Sequence, residues 1–317
     1  MIKLQTVYYN EHNILSKRYM EDYDRLKDSK SIIVFTHNDM DGLSAGELVR
    51  EKYNVSIDDI YTCNYSSSIP DLALMLDKDV VFTDYCLREN TLTELLQANT
   101  FKSLTILDHH DTSLKLVPIL MKYIKNGNHN IYFNINTQKC GTMIAYEELN
   151  KDPKLKRFVT LVDDYDRWVG DYAESKYLNA YFFESGANNL RSGIYAKAMS
   201  SEEELNRAIE VGKKLFMNDL ERYKILNDNF SFKATLSGYK IKVIEGHGNS
   251  MMFDNIKDYD AVCVFHRLGA DTVYSLYTVY PDRVKIKEIA ENYGGGGHPG
   301  ACGFTIRNGE IDFDAAN

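Results

Sequence analysis

The strongest constraint on this chain is an apolar run that stops on metal-competent side chains. Leu104-Thr105-Ile106-Leu107 is followed at once by Asp108, His109 and His110. Such a run reads as a buried strand of a parallel sheet. Strand side chains alternate faces, so three consecutive ligand types cannot serve one site from within a strand. They belong where the strand ends and the chain turns, the edge at which parallel α/β sheets build their sites. The runs at 31–36 and 79–83 stop in the same way, the first on His37-Asn38-Asp39-Met40-Asp41-Gly42 and the second on Asp84. If the three strands are neighbours, His37, Asp39, Asp41, Asp84, Asp108, His109 and His110 converge. Carboxylate mixed with imidazole suits Mn²⁺, Mg²⁺ or Zn²⁺, and the carboxylate excess favours Mn²⁺ or Mg²⁺ over a structural zinc. Each Asp taken singly reads equally well as a helix cap or turn former. The set of three does not, because an acidic cluster packed without a cation repels itself.

The 317 residues suffice for two domains. A formal net charge of −9 argues against sequence-blind binding of long nucleic acids. It is compatible with a small anionic substrate drawn in by bound cations. The five cysteines are scattered and form no Cys-x-x-Cys pair, as in a reduced, cytoplasmic protein. The first residues lack the apolar core of a signal peptide and no run reaches membrane-spanning length, so no membrane association is expected.

Along the chain, a charged helix is expected over 14–27. Short strands and helices then alternate: strands at 31–36, 59–63, 79–83, 104–107 and 131–135, with helices at 43–52, 71–76, 91–97, 140–149 and from Pro153 towards Trp168. That alternation predicts an α/β domain, a doubly wound, mostly parallel sheet over 1–185. The last of these helices carries Asp163, Asp164 and Asp166, which cannot all share one face. Ser201-Glu202-Glu203-Glu204 is a capping box that opens a long charged helix, read as a connector over 186–230 or equally well as a surface helix of the first domain. From 231 to 317 the composition turns to Val, Ile, Tyr and Phe, predicting a smaller α+β domain. Its glycine run, Gly294–Gly297, falls between a helix at 284–292 and a strand at 301–306, as a loop able to wrap a phosphate or nucleotide.

In their order these motifs resemble those of the DHH/DHHA1 superfamily phosphoesterases, in particular the nano-RNase (short-oligoribonuclease) branch. Asp108-His109-His110 is similar to the superfamily's name motif, His37-x-Asp39-x-Asp41-Gly42 to its first and Asp84 to its second. The acidic run before Trp168 is similar to its fourth, and Gly294–Gly297 with His298-Pro299-Gly300 to the glycine motif of DHHA1. The resemblance implies a cytoplasmic, manganese-dependent phosphoesterase with two ions, replaceable by Mg²⁺ or Co²⁺. It implies His37, Asp39, Asp41, Asp84, Asp108, His109 and one of Asp164 or Asp163 as ligands. Asp164 is preferred, from the form Asp-x-Asp-x-Trp associated with relatives. Asp41 and His109 then act in catalysis, and His110 polarises the phosphate or protonates the leaving oxygen. Gly295, Gly296, Gly297 and His298 would hold the terminal nucleotide. Where the superfamily has a Ser-Leu-Arg-like stretch, this chain has Ser275-Leu276-Tyr277, so Arg267 is the expected substitute for the missing cation. The expected activity is hydrolysis of short oligoribonucleotides to nucleoside 5′-monophosphates. Cyclic nucleotides, linear dinucleotides and 3′-phosphoadenosine 5′-phosphate are alternative substrates, a catalytically inactive nucleotide sensor is the alternative of another class, and a homodimer is compatible with either.

Overall fold

The computed structural model describes residues 31–64, 72–127, 130–184, 189–248 and 258–315, together with 9–10, 13–14, 26 and 29. The helix expected over 14–27 falls almost wholly outside the described residues. Ile14 belongs instead to a two-residue ladder, β1 (Tyr9–Asn10) with β2 (Asn13–Ile14). The chain divides into two compact units, Met1–Leu215 and Phe216–Asn317.

In the first unit, five strands form an all-parallel sheet: β3 (Ile32–His37), β4 (Ile60–Cys63), β5 (Asp79–Thr83), β6 (Ser103–Asp108) and β7 (Ile131–Ile135). Their order is β4-β3-β5-β6-β7. The chain goes first to one side of β3 and then to the other, so the sheet has its switch point between β3 and β5. Outside the carboxyl ends of those strands a crevice opens. Both faces are apolar because the strand interiors are built mainly of β-branched, aromatic and leucine side chains. Ile32 and Val34 pack on one side with α1 (Met40–Tyr53), α4 (Gly141–Ala145) and α5 (Lys156–Asp166). Ile33 and Phe35 pack on the other with α2 (Glu89–Ala98) and α3 (Val117–Lys125). Each fully buried side chain of this kind stabilises the fold by about 1.5–3 kcal/mol. Two further helices, α6 (Ala173–Glu184) and α7 (Ile194–Ser200), close the first side, in segments where the sequence pattern had singled out no helix.

α8 (Glu202–Asn229) contains the division between the units. Its start is the expected cap, with the Glu204 N–H donating to Ser201 Oγ at 3.2 Å. The second unit is a seven-stranded mixed sheet built from β8 (Ser231–Leu236), β9 (Tyr239–Glu245), β10 (Ala261–Leu268), β11 (Asp271–Tyr277), β12 (Gly296–His298), β13 (Ala301–Ile306) and β14 (Asp314–Ala315). Its order is β12-β13-β11-β10-β9-β8-β14. Helix α9 (Ile286–Asn292) covers the face bearing Cys263, Leu276 and Phe304. Tyr223 and Leu226 of α8 pack on the other face, against Ile244, Val262 and Val264.

Only half of the glycine run is a loop: Gly294 and Gly295 form the turn after α9. Residues 296–298 form the edge strand β12, paired antiparallel with β13. Close packing explains two of its glycines: a Cβ on Gly295 would lie 2.0 Å from the carbonyl oxygen of Gly303, and Gly297, at φ +138°, would place one 2.7 Å from that of Ala301. A Cβ on Gly296 would meet nothing within 4 Å.

Candidate metal centre

Register sets the site. Thr36 pairs with Thr83 and Thr83 with Leu107, so His37, Asp84 and Asp108 stand one level further on, at the mouth of the crevice. His37 ends β3, and its Nδ1 lies 2.8 Å from Oδ2 of Asp39. Asp39 is also the N-cap of α1, its Oδ1 accepting the Gly42 N–H at 2.8 Å, and capping leaves Oδ2 beside His37. Asp41, on the first turn of α1, is buried. Its two carboxylate oxygens accept the N–H groups of Gly141 and Thr142, each at 2.7 Å, from the start of α4. A helix N-terminus supplies such unpaired donors and favours negative charge.

Asp84 follows β5 in the left-handed backbone region, φ +51°, which Asp and Asn tolerate better than most residues. It has room because residue 141 is glycine: a Cβ there would stand 2.5 Å from Asp84 Cβ. His109 is buried and its Nε2 is the hub of the cluster. It lies 3.1 Å from Oδ1 of Asp84, 3.6 Å from Oδ2 of Asp41 and 3.6 Å from Oδ2 of Asp166.

Among the described residues, three sets of side chains place ligand atoms within 4.8 Å of one another: His37, Asp39 and Asp84; Asp41, His109 and Asp166; Asp84, His109 and His110. Asp84 belongs to two of them and can bridge two ions. Among the described residues nothing donates a hydrogen bond to the buried Oδ1 of Asp84 or Oδ2 of Asp166, an expensive state for carboxylate oxygens that a divalent cation would relieve. Burial first, and then the charges of Asp41 and Asp39, push the carboxyls of Asp84 and Asp166 well above the usual carboxylate range. The oxygen-rich donor set with one or two imidazoles fits Mn²⁺ or Mg²⁺.

Several expected roles change. Asp164, the preferred ligand of the acidic run, turns away from the cluster. Its carboxylate accepts the N–H groups of Asp171 at 2.8 Å and Tyr172 at 3.4 Å and anchors the turn after α5. Asp163 accepts the Cys140 N–H at 2.8 Å and pairs with Arg167 at 3.2 Å. Asp166 reaches His109 instead. The signal for it was the spacing, since Asp163 and Asp166 lie on one side of the helix at i, i+3 while Asp164 is rotated away. Asp108 is fully buried behind the cluster and belongs to none of the three sets; its Oδ1 lies 2.8 Å from Nδ1 of His110 and its Oδ2 accepts from the Ser113 hydroxyl. Burial opposes its ionisation, but His110, His109 and Ser113 together outweigh burial and hold the carboxyl below its usual range. Its place is to orient His110.

In the second unit, His298 is exposed and stands in register with Ala301, then Tyr277, then Val262. Directly paired side chains share a face, so His298 lies on the Val262 face. Arg267 alternates with Cys263 and Phe265 onto the opposite face and pairs with Glu310. It is therefore not the phosphate contact that would work beside His298. The Tyr277 hydroxyl donates to the Gly248 carbonyl at 3.0 Å.

No family model matches the chain. It is 24% identical over 302 residues to the oligoribonuclease NrnB of Bacillus subtilis (strain 168), covering 86% of this chain and 72% of that protein. It is 22% identical over 307 residues to an uncharacterized protein of Acanthamoeba polyphaga mimivirus, covering 88% of this chain and 68% of that one. Among solved structures it is similar to the DHH domain of a member of the s1p family of ribosomal proteins. There the TM-score is 0.58 at 15% identity, covering 91% of this chain and 84% of the other.

Proposed function

We propose that this chain, whose fold is that of the DHH proteins and which resembles the DHH/DHHA1 phosphoesterases over most of its length, is a divalent-metal-dependent phosphodiesterase of short oligoribonucleotides, releasing nucleoside 5′-monophosphates. The observation that carries the reading is a chain of ligand sets, Asp84 being shared between His37/Asp39 and His109/His110, and His109 being shared in turn with Asp41/Asp166, beside two buried carboxylate oxygens that accept no hydrogen bond among the described residues. His37, Asp39 and Asp84 would hold one ion, and Asp41, His109, Asp166 and the shared Asp84 a second. Bound there, two cations supply a nucleophilic water of lowered pKa and neutralise charge on the scissile phosphate. The protein's own contribution is order: α4 fixes both oxygens of Asp41, and Gly141 leaves space for Asp84. Ser113 and Asp108 hold the His110 ring at the edge of the cluster. Burial disfavours its imidazolium but Asp108 outweighs this, so His110 is a fitting donor of a proton to the leaving oxygen. Likeness to an oligoribonuclease over 86% of this chain and the net charge of −9 support a short substrate over a long one. Gly296 and His298, on the edge strand of the second unit, are proposed to hold the terminal nucleotide.

The test is incubation with Mn²⁺ and a panel of RNA and DNA di- to pentanucleotides, cyclic mono- and dinucleotides, 3′-phosphoadenosine 5′-phosphate and a long single-stranded RNA. Nucleoside 5′-monophosphates should accumulate from the short RNAs first. Failure to cleave any diester with metal supplied would overturn the reading; preference for a cyclic or 3′-phosphate substrate would keep the chemistry and replace the substrate.

A further inference from the structure

The chain has a single tryptophan, and it stands two residues beyond Asp166. By chain length alone its Cα lies within about 7 Å of that of Asp166. We infer that Trp168 is a base-stacking platform that positions a substrate nucleobase beside the metal centre.

Three observations point there. Trp168 adopts φ +58°, a conformation that bulky L side chains rarely take and that persists only where surrounding structure enforces it. The enforcement is visible: the N–H groups of Arg167, Trp168 and Val169 donate to the carbonyls of Asp163, Tyr165 and Asp164, at 3.2, 3.2 and 3.0 Å. The second observation is the cost of the clamp. Asp164 is 3% exposed and commits both carboxylate oxygens to Asp171 and Tyr172 of the same turn. A carboxylate so placed, next to a ligand cluster it does not join, is spent on the shape of this turn. The third is what the turn presents. Trp168, Val169 and Tyr172 are 37%, 46% and 47% exposed, and the indole stacks on no other ring among the described residues. A strained, clamped turn that displays an indole to solvent is a poor way to build a core and a good way to hold a flat apolar face still.

The occupant follows from the neighbourhood. The adjacent cluster suits a phosphate held by cations, and a nucleotide carries a π-face a short distance from each phosphate. Stacking of bases on aromatic side chains is tolerant of sequence, because every base has such a face. Trp168 would therefore act on any short oligonucleotide, purines most strongly. This inference rests on the phosphodiesterase reading for its substrate, so its test has one arm independent of turnover.

That arm is fluorescence. With one tryptophan in the chain, emission excited at the red edge of the indole band, where the 23 tyrosines do not absorb, reports on Trp168 alone. Titration of the protein in Ca²⁺ or Mn²⁺ with the dinucleotide ApA should quench emission saturably, whereas ribose 5-phosphate and inorganic phosphate should not. The kinetic arm compares kcat/KM for ApA and for its abasic analogues. Trp168→Ala should lower kcat/KM on ApA by about 5- to 150-fold, the span of stacking on one base. Trp168→Phe should recover most of it, and an analogue abasic at the stacked position should lose most of the sensitivity. Equal losses on ApA and every abasic analogue would make Trp168 a purely structural residue and overturn the inference. So would emission that ignores ApA, or quenching equally strong with inorganic phosphate. If no diester is turned over, the phosphodiesterase reading fails by itself, and base-dependent quenching still decides for or against the platform.

Discussion

Asp84→Asn should make the metal-free protein more stable and remove most of the stabilisation that metal confers. Asn preserves the size of the side chain and accepts the left-handed backbone at φ +51°. What changes is charge. Ligand oxygens of Asp39 and Asp84 lie within 4.8 Å of each other, as do those of Asp41 and Asp166. At that separation two carboxylates repel by about 3 kcal/mol at the effective dielectric of partly buried sites. Partial protonation relieves some of this in the wild type, since Asp84 and Asp166 already bind protons more readily than ordinary carboxylates. Relief of about 1–3 kcal/mol is therefore expected at neutral pH, and for a unit of this size each kcal/mol moves Tm by about 2–4 °C. In EDTA the variant should melt roughly 3–10 °C above wild type. An ion at a hundred times its dissociation constant stabilises by about 2.7 kcal/mol, so saturating Mn²⁺ should raise the wild-type Tm by roughly 5–10 °C. The variant should lose most of that rise and nearly all turnover. Differential scanning calorimetry in EDTA and in Mn²⁺ reads all four values. A metal-free variant that melts below wild type, or that retains the full Mn²⁺ shift, would refute the account of Asp84 as a repelled, bridging ligand.

Other expectations share this geometry. The pH dependence of the metal-free form has a defined sign. Asp84 and Asp166 have folded pKa values raised above their unfolded ones, so their contribution to stability falls as pH rises between the two values, and metal-free Tm should fall less steeply with pH in Asp84→Asn than in wild type. Asp166→Asn should cut metal affinity and activity by at least about tenfold, whereas Asp164→Asn should leave metal content intact and loosen the turn it anchors; metal analysis after dialysis separates them. Gly141→Ala should displace Asp84 and lower kcat more than KM, since its Cβ would arrive 2.5 Å from Asp84 Cβ; unchanged kcat would show that the crowding is absorbed elsewhere. His298→Ala should impair a dinucleotide more than a nitrophenyl phosphodiester with metal content unchanged; a parallel loss on both would move His298 into the catalytic centre.

The strand ends were legible because each apolar run stops on a ligand type, and parallel pairing then leaves little freedom in where His37, Asp84 and Asp108 go. What pairing does not fix is rotation. Asp163, Asp164 and Asp166 occupy one helix, and which of them faces His109 depends on how α5 seats on α1 and α4, a matter of tertiary packing. The form Asp-x-Asp-x-Trp pointed to Asp164, and the N–H groups of residues 171 and 172 claimed it. Asp108 was misjudged in a related way: its position at the strand end was right, but its oxygens go to His110 and Ser113 behind the cluster. The glycine run was found, yet close approach to Gly303 and Ala301 accounts for Gly295 and Gly297 before any ligand does. The face of Arg267 follows from strand alternation, which the sequence carried, but only against a register that appears once strands are paired.

The two hydrogen bonds from Gly141 and Thr142 to Asp41 span a hundred residues, and His109 and Asp166 lie further along still. No stretch of this chain short of residue 166 contains a full set for the second ion. Polypeptides emerge from the ribosome at about 5–20 residues per second, so roughly 6–25 seconds pass between the appearance of Asp41 and the first moment at which that set is complete. Until then the acidic segments have only weak, partial sites to offer. Loading with metal is thus a late event in the birth of the protein, and a nascent chain arrested before α5 should retain little Mn²⁺ however much of the sheet has already formed.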